Sequence, residues 1–309
     1  MVKIKFNQKL FNRHIAEIAP KIEANIKAVE KDSLEDKTVQ CLDYISENLK
    51  PLLSATTEEL KNYIEYFEKN YADSLKDRTE LNKILRSEIF EKEYGKWGGR
   101  KSYGAYIFVQ TLDLKTCPYC NRNYTFIVNE IDGKLRPEID HFYPKSIYPF
   151  LAMSFFNLIP SCPICNHTKS SKVKKDLDNP YDIKEGVYRF TYRPKNIEFS
   201  VVEKEKYNFE SFEIELKGNE SNIELFKLDK LYAQHKDIVL ELLIKKAYYP
   251  QSYIDELSNF GFGQDEIYRY LFSNYNKDDD LHKRPLSKLV RDISEELGLL
   301  IYCSEKNSK

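Results

Sequence analysis

The chain has almost no net charge and no long apolar run. Its 309 residues include 48 Lys and Arg against 49 Asp and Glu, which gives a formal net charge of −1. There is therefore no global attraction to nucleic acid, and binding of that kind needs a local basic patch. No stretch approaches the roughly 18 uninterrupted apolar residues of a membrane span, and the N-terminus lacks the apolar segment of a signal peptide. We therefore expect a soluble, cytoplasmic protein with no membrane partner.

Cysteine is scarce, but four of the six cysteines form two C-x-x-C pairs. These pairs are Cys117-Pro-Tyr-Cys120 and Cys162-Pro-Ile-Cys165. In a chain without a secretion signal, matched pairs of this kind favour metal binding over disulfides. Together they supply the four thiolates of a closed tetrahedral zinc shell, which is structural and not catalytic. We predict a structural Zn²⁺ site here; the alternative is that these are ordinary buried thiols.

A local basic excess accompanies the cysteine pairs. Between Lys115 and Lys175 there are nine Lys or Arg against four Asp or Glu. We expect Lys169 and Lys172 to contact the phosphate backbone of a nucleic acid, since lysine–phosphate contacts give binding that does not depend on base sequence. For Lys174 and Lys175, a solvated helix face is the alternative.

Helical periodicity dominates the first hundred residues, where apolar positions recur every three or four residues. The first such stripe comprises Phe11, Ile15, Ile18, Ile22, Ile26 and Val29. Pro20 interrupts it and predicts a kink or a restart. Thr56 followed by Glu59 predicts the capping box of a later helix. A further helix, through Leu81, is expected to end near Gly95.

Strand-like alternation replaces this periodicity further along the chain. Strands are predicted at 124–129 and 135–139, around a turn at Asp132-Gly133, and again at 188–192, 197–201 and 212–216. Helices resume after about Asn222, and the last has Pro285 in its first turn and ends at Gly298. The predicted class is α+β. We expect a helical N-terminal region at 1–105, a core at 106–182, and a small β region with C-terminal helices at 183–309.

A set of residues suited to phosphodiester hydrolysis lies between and after the cysteine pairs. Such a reaction needs a base that activates water and a cation that neutralises charge on the phosphate. His141 suits the base, because imidazole titrates near neutral pH. Asp140 and Asn166 offer oxygen ligands for Mg²⁺ or Mn²⁺. Asn157 can hold the His141 ring in a productive tautomer.

These residues resemble the HNH nuclease motif in its ββα-metal setting. The resemblance covers about Cys117 to Lys172 and implies that His141 is the general base. It further implies that Asn157 orients this base and that Asn166 ligates the divalent cation together with Asp140. Lys169 matches the lysine that the family places near the scissile phosphate. His167, directly after Asn166, is the alternative third ligand.

A wider resemblance involves Cys-Pro-Tyr-Cys-Asn from Cys117, Ile-Asp-His-Phe-Tyr-Pro-Lys-Ser from Ile139, and Arg-Pro-Leu-Ser-Lys-Leu from Arg284. They are similar to segments of HNH proteins from bacterial anti-phage defence, including Septu-type nuclease subunits and some retron-associated effectors. The resemblance implies an antiviral role beside an ATPase partner of the ABC or SMC-like class. The chain has no P-loop of its own, so ATP dependence would come from that partner.

The leading interpretation is therefore a metal-dependent endonuclease that hydrolyses nucleic acid, with DNA the expected substrate and RNA still open. Two alternatives belong to other classes. One is a zinc-braced nucleic-acid-binding module without catalysis, and the other is a scaffold subunit whose helices bind a partner. The sequence argues against both, because neither needs Asp140, His141 and Asn166 together.

Overall fold

The computed structural model of the protein describes residues 1–130, 133–174, 176–195 and 210–299. The chain forms two compact units, neither of them continuous in sequence. The first unit comprises Ile4–Leu114 and Thr125–Lys175; the second comprises Met1–Lys3, Lys115–Tyr124 and Asp176–Lys309. Each combines helices with short antiparallel strand pairs, so the predicted α+β class is confirmed. Among the described residues, no helix is both long and apolar enough to cross a membrane.

The helices of the first unit mostly precede its strands. They are α1 (Gln8–Lys27), α2 (Asp36–Glu47), α3 (Leu49–Ser54), α4 (Thr57–Tyr71), α5 (Glu80–Lys83), a π-helix (Ile84–Ile89), α6 (Phe90–Gly99) and α7 (Ala105–Leu112).

Helix α1 begins where the side chain of Asn7 accepts a hydrogen bond from the backbone N–H of Leu10, at 3.0 Å. The helix continues through Pro20, so the predicted restart does not occur. The second half of the predicted stripe faces the core, where Ile18, Ile22 and Ile26 are buried. Burial of three aliphatic side chains contributes several kcal/mol, roughly 1.5–3 each, which offsets the cost of a proline inside a helix.

The predicted capping box of α4 is confirmed. The Thr56 side chain accepts from the backbone N–H of Glu59, whose carboxylate accepts from the Thr56 backbone N–H in turn. The predicted end of the next helix near Gly95 is wrong, because α6 continues to Gly99. Trp97, between these glycines, is fully buried, and this anchoring outweighs the weak helix propensity of glycine.

The strands of the first unit are short. β1 (Val128–Asn129) pairs with β2 (Lys134–Leu135), and β3 (Glu138–His141) pairs with β4 (Leu158–Ser161), both antiparallel. Helix α8 (Pro163–Lys169) starts just after β4. The predicted strands at 124–129 and 135–139 are thus much shorter or interrupted, and Asp132 of the predicted turn lies outside the described residues.

The second unit contains a hairpin and the remaining helices. The strands are β5 (Arg189–Pro194) and β6 (Phe212–Lys217), while the predicted strand at 197–201 lies outside the described residues. The helices are α9 (Glu220–Phe226), α10 (Leu228–Tyr232), α11 (Lys236–Tyr248), α12 (Gln251–Asn259), α13 (Gln264–Phe272) and α14 (Ser287–Glu296). Pro285 precedes α14 instead of lying in its first turn, because Leu286 caps the helix in a left-handed conformation.

Candidate active site and metal centre

The four cysteines predicted to bind zinc lie together. The Sγ atoms of Cys117, Cys120, Cys162 and Cys165 are all within 4.8 Å of one another, and all four residues are buried. In a tetrahedral shell with Zn–S bonds of about 2.3 Å, neighbouring sulfurs lie about 3.8 Å apart. The donor set and its compactness fit a structural zinc ion, which four thiolates would hold with no position open for catalysis.

Local backbone geometry prepares each cysteine pair. After Cys117 the chain reverses, with the backbone N–H of Asn121 donating to the Cys117 carbonyl at 2.7 Å and Asn121 at a positive φ of 49°. Cys162 is the residue before α8, and Cys165 lies in the first turn of that helix. A helix start with Pro163 at its first position thus fixes the second pair.

Next to the second pair, β3, which pairs with β4, and α8 bring Asp140, His141 and Asn166 to one pocket, whereas Asn157 does not line it. Asp140 pairs with Ile159, and His141 pairs with Leu158. The pocket has a volume of about 350 Å³. Its lining includes Tyr94, Asp140, His141, Lys145, Asn166 and His167. Three predicted site residues that are up to 26 positions apart in the sequence therefore meet at one cavity.

His141 is buried, and its ring is held at Nε2. This nitrogen lies 3.0 Å from the carbonyl oxygen of Ala152, and the ring centroid lies 4.6 Å from that of Tyr94. A carbonyl only accepts, so Nε2 carries the hydrogen and Nδ1 keeps its lone pair. Within the described residues, Nδ1 has no hydrogen-bond partner. The geometry therefore presents a neutral imidazole nitrogen that can accept a proton.

Burial keeps this imidazole neutral. It lowers the pKa of His141 from 6.5 to about 3, against the opposing effect of the Ala152 carbonyl. The ammonium groups of Lys145 and Lys169 act in the same direction as burial. His141 is therefore unprotonated across the neutral range, as a general base requires.

Asp140 has a cation beside it. Nζ of Lys169 donates to Oδ1 of Asp140 at 3.0 Å and to the carbonyl oxygen of His141 at 2.7 Å. The Lys169 side chain is fully buried, and burial lowers its pKa while the Asp140 carboxylate opposes that change. The contact of Lys169 with substrate phosphate stays a prediction; in this structure its ammonium group is buried against Asp140.

Asn166 is oriented by a residue to which the sequence analysis assigned no role. Its Nδ2 donates to Oε2 of Glu138 at 2.7 Å. In the part of the chain that the structure describes, Oδ1 of Asn166 has no hydrogen-bond partner. The alternative ligand His167 lies 3.4 Å from the other Glu138 oxygen, with a side chain 74% exposed. Glu138 and Asp140 are two positions apart on β3, and this alternation was the sequence signal for their shared face.

Asn157 braces the loop after His141 and, among the described residues, makes no hydrogen bond with the imidazole ring itself. Its Oδ1 accepts from the backbone N–H of Tyr143 at 2.7 Å. Its Nδ2 donates to the carbonyls of Tyr143 and Leu151, at 3.0 and 2.9 Å. Because Ala152 follows Leu151, the structure links Asn157 to the orientation of His141 through the loop backbone.

The other predicted phosphate contact is Lys172. Lys172 is exposed, with Nζ donating to the Thr168 carbonyl at 3.1 Å, which leaves it accessible to solvent. Phosphate contact by Lys172 stays a prediction. The aromatic residues in the loop after His141 pack inside the protein; they are Tyr143, Tyr148 and Phe150, and all three are buried.

A larger groove lies elsewhere in the first unit, between α1 and α4. It has a volume of about 970 Å³ and is mainly apolar, with Phe11, Ile15, Tyr63 and Tyr66 in its lining. It contains none of the predicted catalytic residues. Chemistry and not size therefore identifies the β3–β4–α8 pocket as the candidate active site.

Comparison with known proteins gives a partial similarity. A stretch of 100 residues, 31% of this chain, is 30% identical to Septu protein PtuB of Bacillus thuringiensis. The match covers 35% of that protein, so the chain aligns with about a third of its length. No family profile matches the chain, and no solved structure matches it. The similarity supports a link to Septu-type defence systems, which the motif resemblance also suggested.

Proposed function

We propose that this protein is a metal-dependent endonuclease of the HNH type that acts in anti-phage defence. The observation that carries the proposal is the convergence of Asp140, His141 and Asn166 on one pocket lined by residues of β3, which pairs with β4, and of α8. An antiparallel strand pair followed by a helix, with a base on the first strand and an amide ligand on the helix, has the arrangement expected of an HNH site.

Asp140 and Asn166 are the residues that would hold Mg²⁺ or Mn²⁺, with His167 as the alternative to Asn166. Carboxylate and amide oxygens are the donors that these hard cations prefer. Glu138 supports this assignment, because it binds the Asn166 amide nitrogen and leaves the amide oxygen for a ligand role. When bound, the cation would supply charge neutralisation at the phosphate.

In this proposal His141 takes a proton from the attacking water. The proton goes to Nδ1, the nitrogen without a hydrogen-bond partner among the described residues. The Ala152 carbonyl accepts from Nε2–H throughout, which fixes the tautomer and stabilises the imidazolium that forms. Asn157 contributes by holding the loop that ends at Ala152.

The defence role rests on the similarity to Septu protein PtuB and on the motif resemblance. We propose an ATPase of the ABC or SMC-like class as partner. The similarity covers about a third of each protein, so this partner is part of the proposal and its binding needs its own test.

A zinc-braced binding module without catalysis is the second candidate. The buried Lys169–Asp140 ion pair favours it, because an ammonium group already stabilises the carboxylate that a metal would use. The two candidates differ in the role of His141. The nuclease needs it for cleavage, whereas the binding module needs it only for folding.

The test is cleavage of supercoiled plasmid DNA by the full chain, alone and with the neighbouring ATPase, in Mg²⁺, Mn²⁺ or EDTA. We expect nicking or linearisation that requires metal and is lost in His141→Ala. His235→Ala is the control, since His235 lies in the second unit and contacts Arg122. The proposal would be overturned if folded wild-type protein cut under none of these conditions. It would also be overturned if His141→Ala cut DNA as fast as wild type.

A further inference from the structure

A second open groove lies on the first unit where α5, the π-helix and α6 follow one another. Its volume is about 410 Å³. The charged residues that line it are Arg78, Lys83, Arg86, Lys92, Asp77 and Glu91. Four cations against two carboxylates make the groove basic, in a chain whose formal net charge is −1. Because the overall charge does not attract nucleic acid, binding of nucleic acid needs a local basic patch of this kind.

The π-helix shapes one wall of this groove. Ile84, Leu85 and Ile89 are buried, whereas Lys83 before the π-helix and Lys92 after it are exposed. A π-helical turn widens the helix and costs stability, and such turns are frequent at functional sites. Here the wide turn keeps the apolar residues in the core while the flanking lysines face solvent.

Glu91 connects the groove to the candidate active site. Its carboxylate accepts from Nε of Arg86 at 2.8 Å and from Nζ of Lys145 at 2.7 Å. Arg86 lines the groove, and Lys145 lines the pocket that contains His141. The two cavities therefore share one ion-pair network, in which Glu91 joins a cation of the groove to a cation of the pocket.

We propose that this groove binds the phosphodiester backbone of the substrate as it enters the active site, with Lys83 and Lys92 as phosphate contacts. The identity of the ligand rests on the proposed nuclease function. Backbone phosphates carry no sequence information, so contacts of this kind position a strand for cutting without selecting a base sequence. Arg86 is held by Glu91 and by Asp77, 3.5 Å away, and Asp77 also pairs with Arg78 at 3.7 Å, which leaves the two exposed lysines as the adaptable contacts.

The test measures binding separately from cutting. Full-length His141→Ala protein is titrated without added Mg²⁺ or Mn²⁺ against a short fluorescein-labelled DNA duplex, its single strand and the matching RNA, by anisotropy at several NaCl concentrations. We expect Lys83→Glu with Lys92→Glu to weaken binding roughly tenfold or more. The neutral pair Lys83→Gln with Lys92→Gln should lower the slope of log affinity against log salt by about two on the duplex.

The matched control is Lys37→Glu with Lys61→Glu. These lysines are exposed on α2 and α4 of the same unit and line neither the groove nor the pocket. Equal loss of binding in the groove and control variants would overturn the inference, as would unchanged binding by both groove variants.

The outcome is separable from that of the proposed function. Wild-type protein that cuts while the groove variants bind normally would reject the groove and keep the nuclease. Groove variants that lose binding, in a protein that never cuts, would keep the groove and reject the nuclease.

Discussion

The ammonium group of Lys169 lies 3.0 Å from Oδ1 of Asp140, inside the protein, with both side chains almost fully buried. The carboxylate proposed to bind a catalytic cation thus already has a positive neighbour. Two charges removed from water stabilise each other only as a pair, so either residue alone is costly. The fold of this region and its proposed metal chemistry therefore depend on the same carboxylate.

Lys169→Met should destabilise the protein by about 3 kcal/mol, because it leaves the Asp140 carboxylate buried without its ion-pair partner. Urea unfolding of wild type and variant measures this difference. We further expect Mn²⁺ to restore more stability to Lys169→Met than to wild type, since the cation replaces the lost positive charge. Lys172→Met is the control, and its exposed side chain should change stability by about 0.5 kcal/mol or less. Equal stability of Lys169→Met and wild type would contradict the structural role.

Glu138→Ala should weaken the response to metal more than it weakens folding. Without the bond at 2.7 Å, the Asn166 amide loses the partner that orients its oxygen. Loss of such a support typically costs about tenfold or more in metal affinity. The Mn²⁺ concentration for half-maximal cleavage should therefore rise roughly tenfold. Glu130→Ala, on the exposed side of the same unit, should leave this concentration unchanged. If the variant only reduced the amount of folded protein, the maximal cleavage rate would fall while the Mn²⁺ concentration for half-maximal cleavage stayed the same.

Zinc content tests the cysteine cluster directly. Elemental analysis of the purified chain should find about one zinc per molecule, and Cys117→Ser should lose it together with much of the stability. Cys41→Ser is the control. Cys41 is buried in α2 and lies outside the cluster, and burial raises the pKa of its thiol to about 12, so it does not form the thiolate that binds metal. Retention of full zinc in Cys117→Ser would show that the cluster does not hold the ion.

His14 should make the protein less stable in mild acid. Burial lowers the pKa of His14 to about 4, although its ring bonds to the Met153 carbonyl. As pH falls, His14 therefore becomes protonated near pH 6.5 in the unfolded chain but only near pH 4 in the folded protein. The contribution of neutral His14 to the free energy of unfolding is fully present above pH 6.5 and is lost as pH falls toward 4. At pH 5 the loss is about 2 kcal/mol.

Urea unfolding at pH 7 and pH 5 tests this prediction. The difference in unfolding free energy between the two pH values should be about 2 kcal/mol smaller in His14→Gln than in wild type. His141 contributes in the same direction and is present in both proteins, so it cancels in the comparison. An unchanged difference would mean that His14 is protonated in the folded state.

The sequence alone indicated most of the helices, because their signals are local. The capping box of Thr56 and Glu59 and the apolar stripe of α4 depend on neighbours a few residues away, and both occur as predicted. The end of α6 was missed because it depends on burial of Trp97 by residues distant in the chain. The π-helix was also missed, because no local sequence pattern distinguishes a π-helix from an α-helix.

Residue chemistry and spacing determined the candidate site. Two C-x-x-C pairs were enough to predict the four-cysteine cluster, and Asp140, His141 and Asn166 were enough to predict a shared pocket. What only the tertiary structure decided was the environment of each side chain. The fold buried Lys169 against Asp140, gave Glu138 its contact with Asn166, and placed Lys145 next to Glu91 of the basic groove. Sequence fixes which chemical groups are available, whereas exposure and partners come from contacts between distant segments that no local pattern encodes.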